Sequence, residues 1–119
     1  DQNKKEYIAD LLEQKSSDEV KMTCNVMREC STLVLVFADI EDMIMDVVSV
    51  GASIENMILR ARDLDVASLW IGFILKIEKE LKKEFNLNKR LVSCIALGYT
   101  DHFPSKRPRK TLFEVSEWH

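Results

Sequence analysis

The sequence predicts a single domain over residues 1–119, a sheet with helices packed over it on an α+β or α/β plan. Three observations carry that prediction. Apolar or small residues recur at Val47, Val50, Gly51, Ile54, Met57, Ile58 and Ala61, the spacing of a packed helix face. Three apolar runs rich in β-branched residues, Thr32–Ala38, Val66–Ile71 and Arg90–Tyr99, read as buried strands. Helical patterns separate these runs, so strand and helix alternate along the chain.

Taken in order, Asn3 is placed to cap a first helix running to about Lys15, with Tyr7, Ile8, Leu11 and Leu12 inward. Ser16, Ser17 and Asp18 break it and start a weaker helical segment carrying Val20, Cys24 and Met27. Thr32–Ala38 shows no polar alternation, which fits a strand covered on both faces. Asp39 to Asp42 is a polar break before the long helix that runs from about Asp46 to Arg62. That helix is apolar around most of its circumference, and its polar strip is Asp46, Ser49, Ser53, Asn56 and Arg60. It is expected to be central, packed against more than one partner, with Gly51 and Ala52 letting another backbone approach. Val66–Ile71 follows as a second buried strand. Ile74–Phe85 reads as a surface helix with Ile74, Ile77, Leu81 and Phe85 inward and a Glu78–Lys82 pair outside. Asn86 to Asn88 turns the chain into the third strand, and Gly98 releases it into the basic, proline-containing segment DHFPSKRPRK and the apolar tail TLFEVSEW.

Composition narrows the function classes. A net charge of −3 argues against a chain built wholesale for nucleic acid. Three cysteines without a C-x-x-C pair argue for reduced thiols and a cytoplasmic setting. No run has the length and apolarity to span a bilayer and no signal-peptide pattern opens the chain, so no membrane partner is expected. The chain starts at Asp1 without an initiator methionine, the expected mark of a fragment, a processed product or the ordered part of something longer.

The segment SVGASIENMILRARDLDVASLWIG, Ser49 to Gly72, resembles the central signature of the nitroreductase family, a small-residue helix followed by a strand of the L-G-L-G-S-x-W-I type. The likeness continues through the strand ending Ala96-Leu97-Gly98-Tyr99 and a basic K-x-R-P-R-K segment, and covers Thr32 to Trp118. The resemblance implies an α+β fold, a nitroreductase-like central sheet flanked by helices, with Asp46–Arg62 as a dimer-interface helix. It implies an FMN-dependent oxidoreductase using NADH or NADPH, a homodimer with FMN at the subunit interface and a small-molecule electron acceptor such as a nitroaromatic or quinone. That chemistry resides in the cofactor, so neither a catalytic triad nor a metal cluster is expected.

Carried over by position, the backbone at Ile71 and Gly72 corresponds to the family's contact with the flavin N5/O4 edge. Lys106, Arg107, Arg109 and Lys110 stand where the family places cations on the FMN phosphate, with Arg109 and Lys110 favoured. Against these stand a simple chain turn at Gly72 and a solvated charge run. Glu55 and Asn56 read as structural polar groups, Trp70 as a core or interface residue, His102 and His119 as surface residues, and Cys24 and Cys30 as idle thiols. Asp65 and Ala67 replace two usual glycines, and Asp65 is suited to a left-handed helix exit. The family's opening R-x-S-x-R motif and its P-S-x-x-N-x-Q-P-W segment have no counterpart here, so residues 1–119 read as the C-terminal part of such a domain. The alternative is a non-enzymatic interaction module that keeps the scaffold and has lost flavin. A nucleic-acid binder using Lys106 to Lys110 ranks third.

Overall fold

A computed structural model describes residues 1–102 and 105–119 of the chain. Phe103 and Pro104 of the basic segment lie outside the described residues. Helix α1 spans Gln2–Gln14 and α2 Lys21–Glu29, with a short 3-10 turn at Asp18–Val20 between them. Strand β1 is Thr32–Ala38, α3 Met45–Asp63 and β2 Ala67–Ile71. A 3-10 turn over Phe73–Ile77 leads into α4, Glu78–Glu84, then β3, Arg90–Gly98, and the short α5, Leu112–Val115. The fold is α+β, as expected: an antiparallel three-stranded sheet in the order β1-β3-β2, with helices on both faces.

Strand β3 is central, and period-2 alternation divides its side chains between two layers. Cys94 and Ala96 face a core shared with Ile8 and Leu12 of α1, Cys24 and Met27 of α2, and Ile74, Ile77 and Leu81. Leu33, Leu35 and Phe37 of β1 pack against the same cluster. On the other face α3 lies over β2 and β3, burying Ile54 and Ala61 near the fully enclosed Ile95. Arg28 fastens α2 to α1, donating to Asp10 and Glu13. The Lys4–Glu84 and Lys15–Glu80 pairs tie α1 to α4.

Several expectations need correction. The long helix is not the centre of this chain's core. Val47, Val48 and Leu59 face solvent, and a Cβ built on Gly51 meets nothing within 4 Å, so no backbone of the same chain closes on it. Strand β2 is an edge strand starting at Ala67, with Ser68, Leu69 and Trp70 exposed, and β1 is half-buried rather than covered on both faces. Asp1, not Asn3, caps α1, its carboxylate accepting from the Asn3 N–H at 2.9 Å, and Tyr7 is exposed. The span from Ile74 is not one α-helix, and Phe85 at its end is partly exposed. Glu78 turns to Arg90 and the Leu91 N–H instead of forming an ion pair with Lys82. Asp65 does leave α3 in the left-handed region, at φ 57°.

Candidate functional site

The residues expected to touch a flavin ring lie where edge strand β2 runs into the 3-10 turn. Ile71 is buried at the end of β2, paired in register with Cys94. The buried Ser93 hydroxyl donates to the Ile71 carbonyl at 3.3 Å. A hydroxyl inside an apolar strand needs a partner, and this one fixes the strand end against β3. Sequence reasoning missed Ser93, although a lone serine in LVSCIALG was a visible signal.

Gly72 has φ −78° and ψ −29°, a conformation open to any residue, so its left-handed freedom is not in use. The missing side chain matters instead for space: a Cβ there meets nothing within 4 Å. The first hydrogen bond of the turn runs from the Leu75 N–H to the Gly72 carbonyl at 3.2 Å. The N–H groups ahead of Leu75 therefore have no acceptor inside the turn. Gly72 is itself exposed, and with no side chain in the way its backbone leaves room for the polar edge of a planar ring.

The turn itself follows from its repeat. In a 3-10 segment side chains three apart eclipse one another. Ile71, Ile74 and Ile77 form the buried edge, Gly72 and Leu75 a second edge, and Phe73 and Lys76 a third, both of these exposed. The Lys76 ammonium sits 5.2 Å from the centre of the Phe73 ring. Neither residue was singled out from sequence.

The basic residues lie elsewhere. Lys106, Arg107, Arg109 and Lys110 are all exposed, in a stretch with neither helix nor strand ahead of α5. Arg109 donates to its neighbour Pro108 O at 3.3 Å. A capping box follows, the Glu114 carboxylate accepting from the Thr111 N–H at 2.8 Å and the Thr111 hydroxyl at 2.7 Å. Among the described residues, Arg109, Lys110, Ile71 and Gly72 are absent from the lining of both open grooves beside the sheet. Two open grooves are lined by other residues: one of about 440 Å³ beside β1 with Ile8, Leu33 and Phe85, and one of about 500 Å³ beside β2 with Cys30, Tyr99 and His102. Gly72 thus leaves open space at the strand end, and neither groove has Arg109 or Lys110 in its lining.

The thiols are unsuited to redox work. Cys24, Cys30 and Cys94 are free and buried, and burial raises all three, pushing Cys94 up to about 12. Among the described residues no group of three or more His, Cys, Asp or Glu could hold a metal ion, and no helix is long and apolar enough to cross a membrane.

The antiparallel sheet, the overlying helices and the glycine-ended edge strand define an α+β protein with an open strand-end site. The chain belongs to the nitroreductase family, whose model matches residues 1–99. Solved structures share the fold, among them the following three. A protein described as a nitroreductase in complex with FMN, from Desulfovibrio desulfuricans, superposes with a TM-score of 0.77 at 23% identity, covering 94% of this chain and 65% of its own. A protein described as an NADH oxidase, from Clostridium acetobutylicum, gives 0.66 at 24% identity, covering 94% and 69%. A nitroreductase with bound FMN from Bacteroides fragilis gives 0.65 at 19% identity, covering 96% and 67%. The chain thus spans about two thirds of the length of these relatives. No curated protein matches the sequence. The basic segment lies outside the residues that the family model matches.

Proposed function

We propose that this chain is part of an FMN-dependent NAD(P)H oxidoreductase of the nitroreductase type, working as a homodimer through α3. The observation that carries the reading is the open backbone edge at Gly72, anchored from beneath by Ile71 and the Ser93 hydroxyl. Bound FMN would supply hydride and electron transfer between a nicotinamide and a small acceptor such as a nitroaromatic or quinone.

The chain's own part is placement. N–H donors ahead of Leu75 would meet the ring edge where negative charge develops, and fixed donors there need no rearrangement. The buried edge of the turn holds them in position. Arg109 and Lys110, both exposed, would hold the phosphate as forked and point cations respectively. Support for the dimer comes from the solvent-facing apolar residues Val47, Val48 and Leu59 of α3 and from Met43, Ile44 and Met45 just before and at its start. The same exposed apolar surface favours the second reading, an interaction module without flavin.

Gly72→Val separates the two readings. The new side chain meets no atom of the chain and the backbone accepts it, so folding is expected to be unchanged by circular dichroism. FMN uptake, read from the visible flavin band and by titration, is expected to fall at least about tenfold as the ring edge is blocked. Equal uptake by wild type and G72V would remove Gly72 from the site. No uptake by wild type would leave the interaction module as the reading.

A further inference from the structure

We propose that Phe73 and Lys76 form the acceptor platform beside the Gly72 edge and select planar aromatic acceptors that carry a negative charge. The inference rests on the flavin reading of Gly72 and adds to it the residues that choose the second substrate. Eclipsing in the 3-10 turn stacks Lys76 over Phe73, and the two present one aromatic face and one ammonium together. Ile74 and Ile77, fully enclosed beneath, hold that outer edge in place. Phe73 is 41% exposed although it directly follows a buried strand end, and Trp70, two positions before Gly72, is 45% exposed. A five-residue 3-10 run is longer than such turns usually are, and the extra length is what brings Lys76 over the ring.

The charge on Lys76 is also available. Lys4, Lys15, Lys21 and Lys89 each hold a carboxylate, whereas among the described residues none is paired with Lys76. The acidic residues next along the chain are engaged elsewhere, Glu78 with Arg90 and Glu80 with Lys15. A ring with an unpaired ammonium over one face suits an electron-poor aromatic that stacks on Phe73 and places a carboxylate or similar anion at Lys76. Proximity to Gly72 sets that acceptor beside the flavin edge.

The test uses the full chain loaded with FMN, and compares 4-nitrobenzoate with nitrobenzene. Equilibrium binding is measured from the change in protein and flavin fluorescence for wild type, Lys76→Gln and Phe73→Leu, with flavin content checked by absorbance in each. Lys76→Gln is expected to weaken 4-nitrobenzoate about threefold to fivefold and leave nitrobenzene unchanged, and Phe73→Leu to weaken both by a similar factor. Added salt is expected to narrow the wild-type preference for the anion and to have no such effect in Lys76→Gln. An unchanged ratio of the two affinities in flavin-loaded Lys76→Gln would overturn the platform and leave the flavin reading standing. A wild-type chain that takes up no FMN would overturn the flavin reading, and the platform with it.

Discussion

Glu78 offers a test of how the turn and α4 are locked to the sheet. Its Oε1 accepts from the Leu91 N–H at 3.1 Å and from Arg90 Nε at 2.9 Å, joining the start of α4 to the start of β3. The side chain is about one-fifth exposed, and that of Arg90 is more than half exposed. Burial works to raise the Glu78 carboxyl, but the Leu91 N–H, the Arg90 bond and the charges of Arg90 and Lys82 together outweigh it and hold it below the usual carboxylate range. A lowered folded-state value contributes stability that is present above the unfolded value of about 4.3 and lost as pH falls through the folded one. Glu78→Gln keeps an acceptor for Leu91 and loses the charge. With Arg90 discounted for its exposure, that costs about 1 kcal/mol near neutral pH. Glu78→Ala also strands the Leu91 N–H and costs about 2 kcal/mol. Urea unfolding followed by circular dichroism should show the wild-type–Glu78→Gln gap closing between about pH 7 and about pH 3, while part of the Glu78→Ala gap persists. A gap to Glu78→Gln that stays constant across that range would refute the argument, as would equal costs for the two variants.

Four further outcomes are expected. Ile54→Ala, at the fully enclosed contact of α3 with the sheet, should cost about 3 kcal/mol in denaturant unfolding. Val48→Ser, on the exposed side of the same helix, should change it by less than about 0.5 kcal/mol yet lower self-association in sedimentation, and unchanged association would remove that face from the dimer. Asp65→Gly should stabilise the chain by about 0.5–1 kcal/mol by relieving the left-handed exit at φ 57°, seen as a higher unfolding midpoint. Cys94, fully enclosed and raised to about 12, should resist iodoacetamide in the native state at about pH 8 and react in urea, and native labelling counted by mass spectrometry would contradict its placement.

What the sequence showed and what it hid divide along physical lines. The strands were legible because consecutive apolar residues at Thr32–Ala38 and in LVSCIALG have little alternative to a sheet, and both fall where the structure has β1 and β3. Asp65 was legible because few residues other than glycine leave a helix left-handed. The 3-10 turn was not, since its inward residues Ile74 and Ile77, followed by Leu81 of α4, are three and four apart and fit one α-helix equally well. That ambiguity also concealed Phe73 and Lys76, which a repeat of three places directly over one another.

The long helix shows a different limit. Its apolar spacing was read as a central helix packed against more than one partner, whereas within this chain Ile54 and Ala61 are its buried residues. Periodicity reports the demand for burial and not which molecule supplies it. The place of Gly72 after WI marks the end of an exposed edge strand in the structure, whereas sequence alone does not say what Arg109 and Lys110 lie against. Leu112, Phe113 and Trp118, close in sequence to Arg109 and Lys110, are exposed apolar side chains open to cover by another molecule. If that cover is a second copy, loss of dimer and loss of phosphate grip should occur together. Phe113→Ser would then weaken FMN and self-association in step, and a variant that lost one and kept the other would separate the tail from the site.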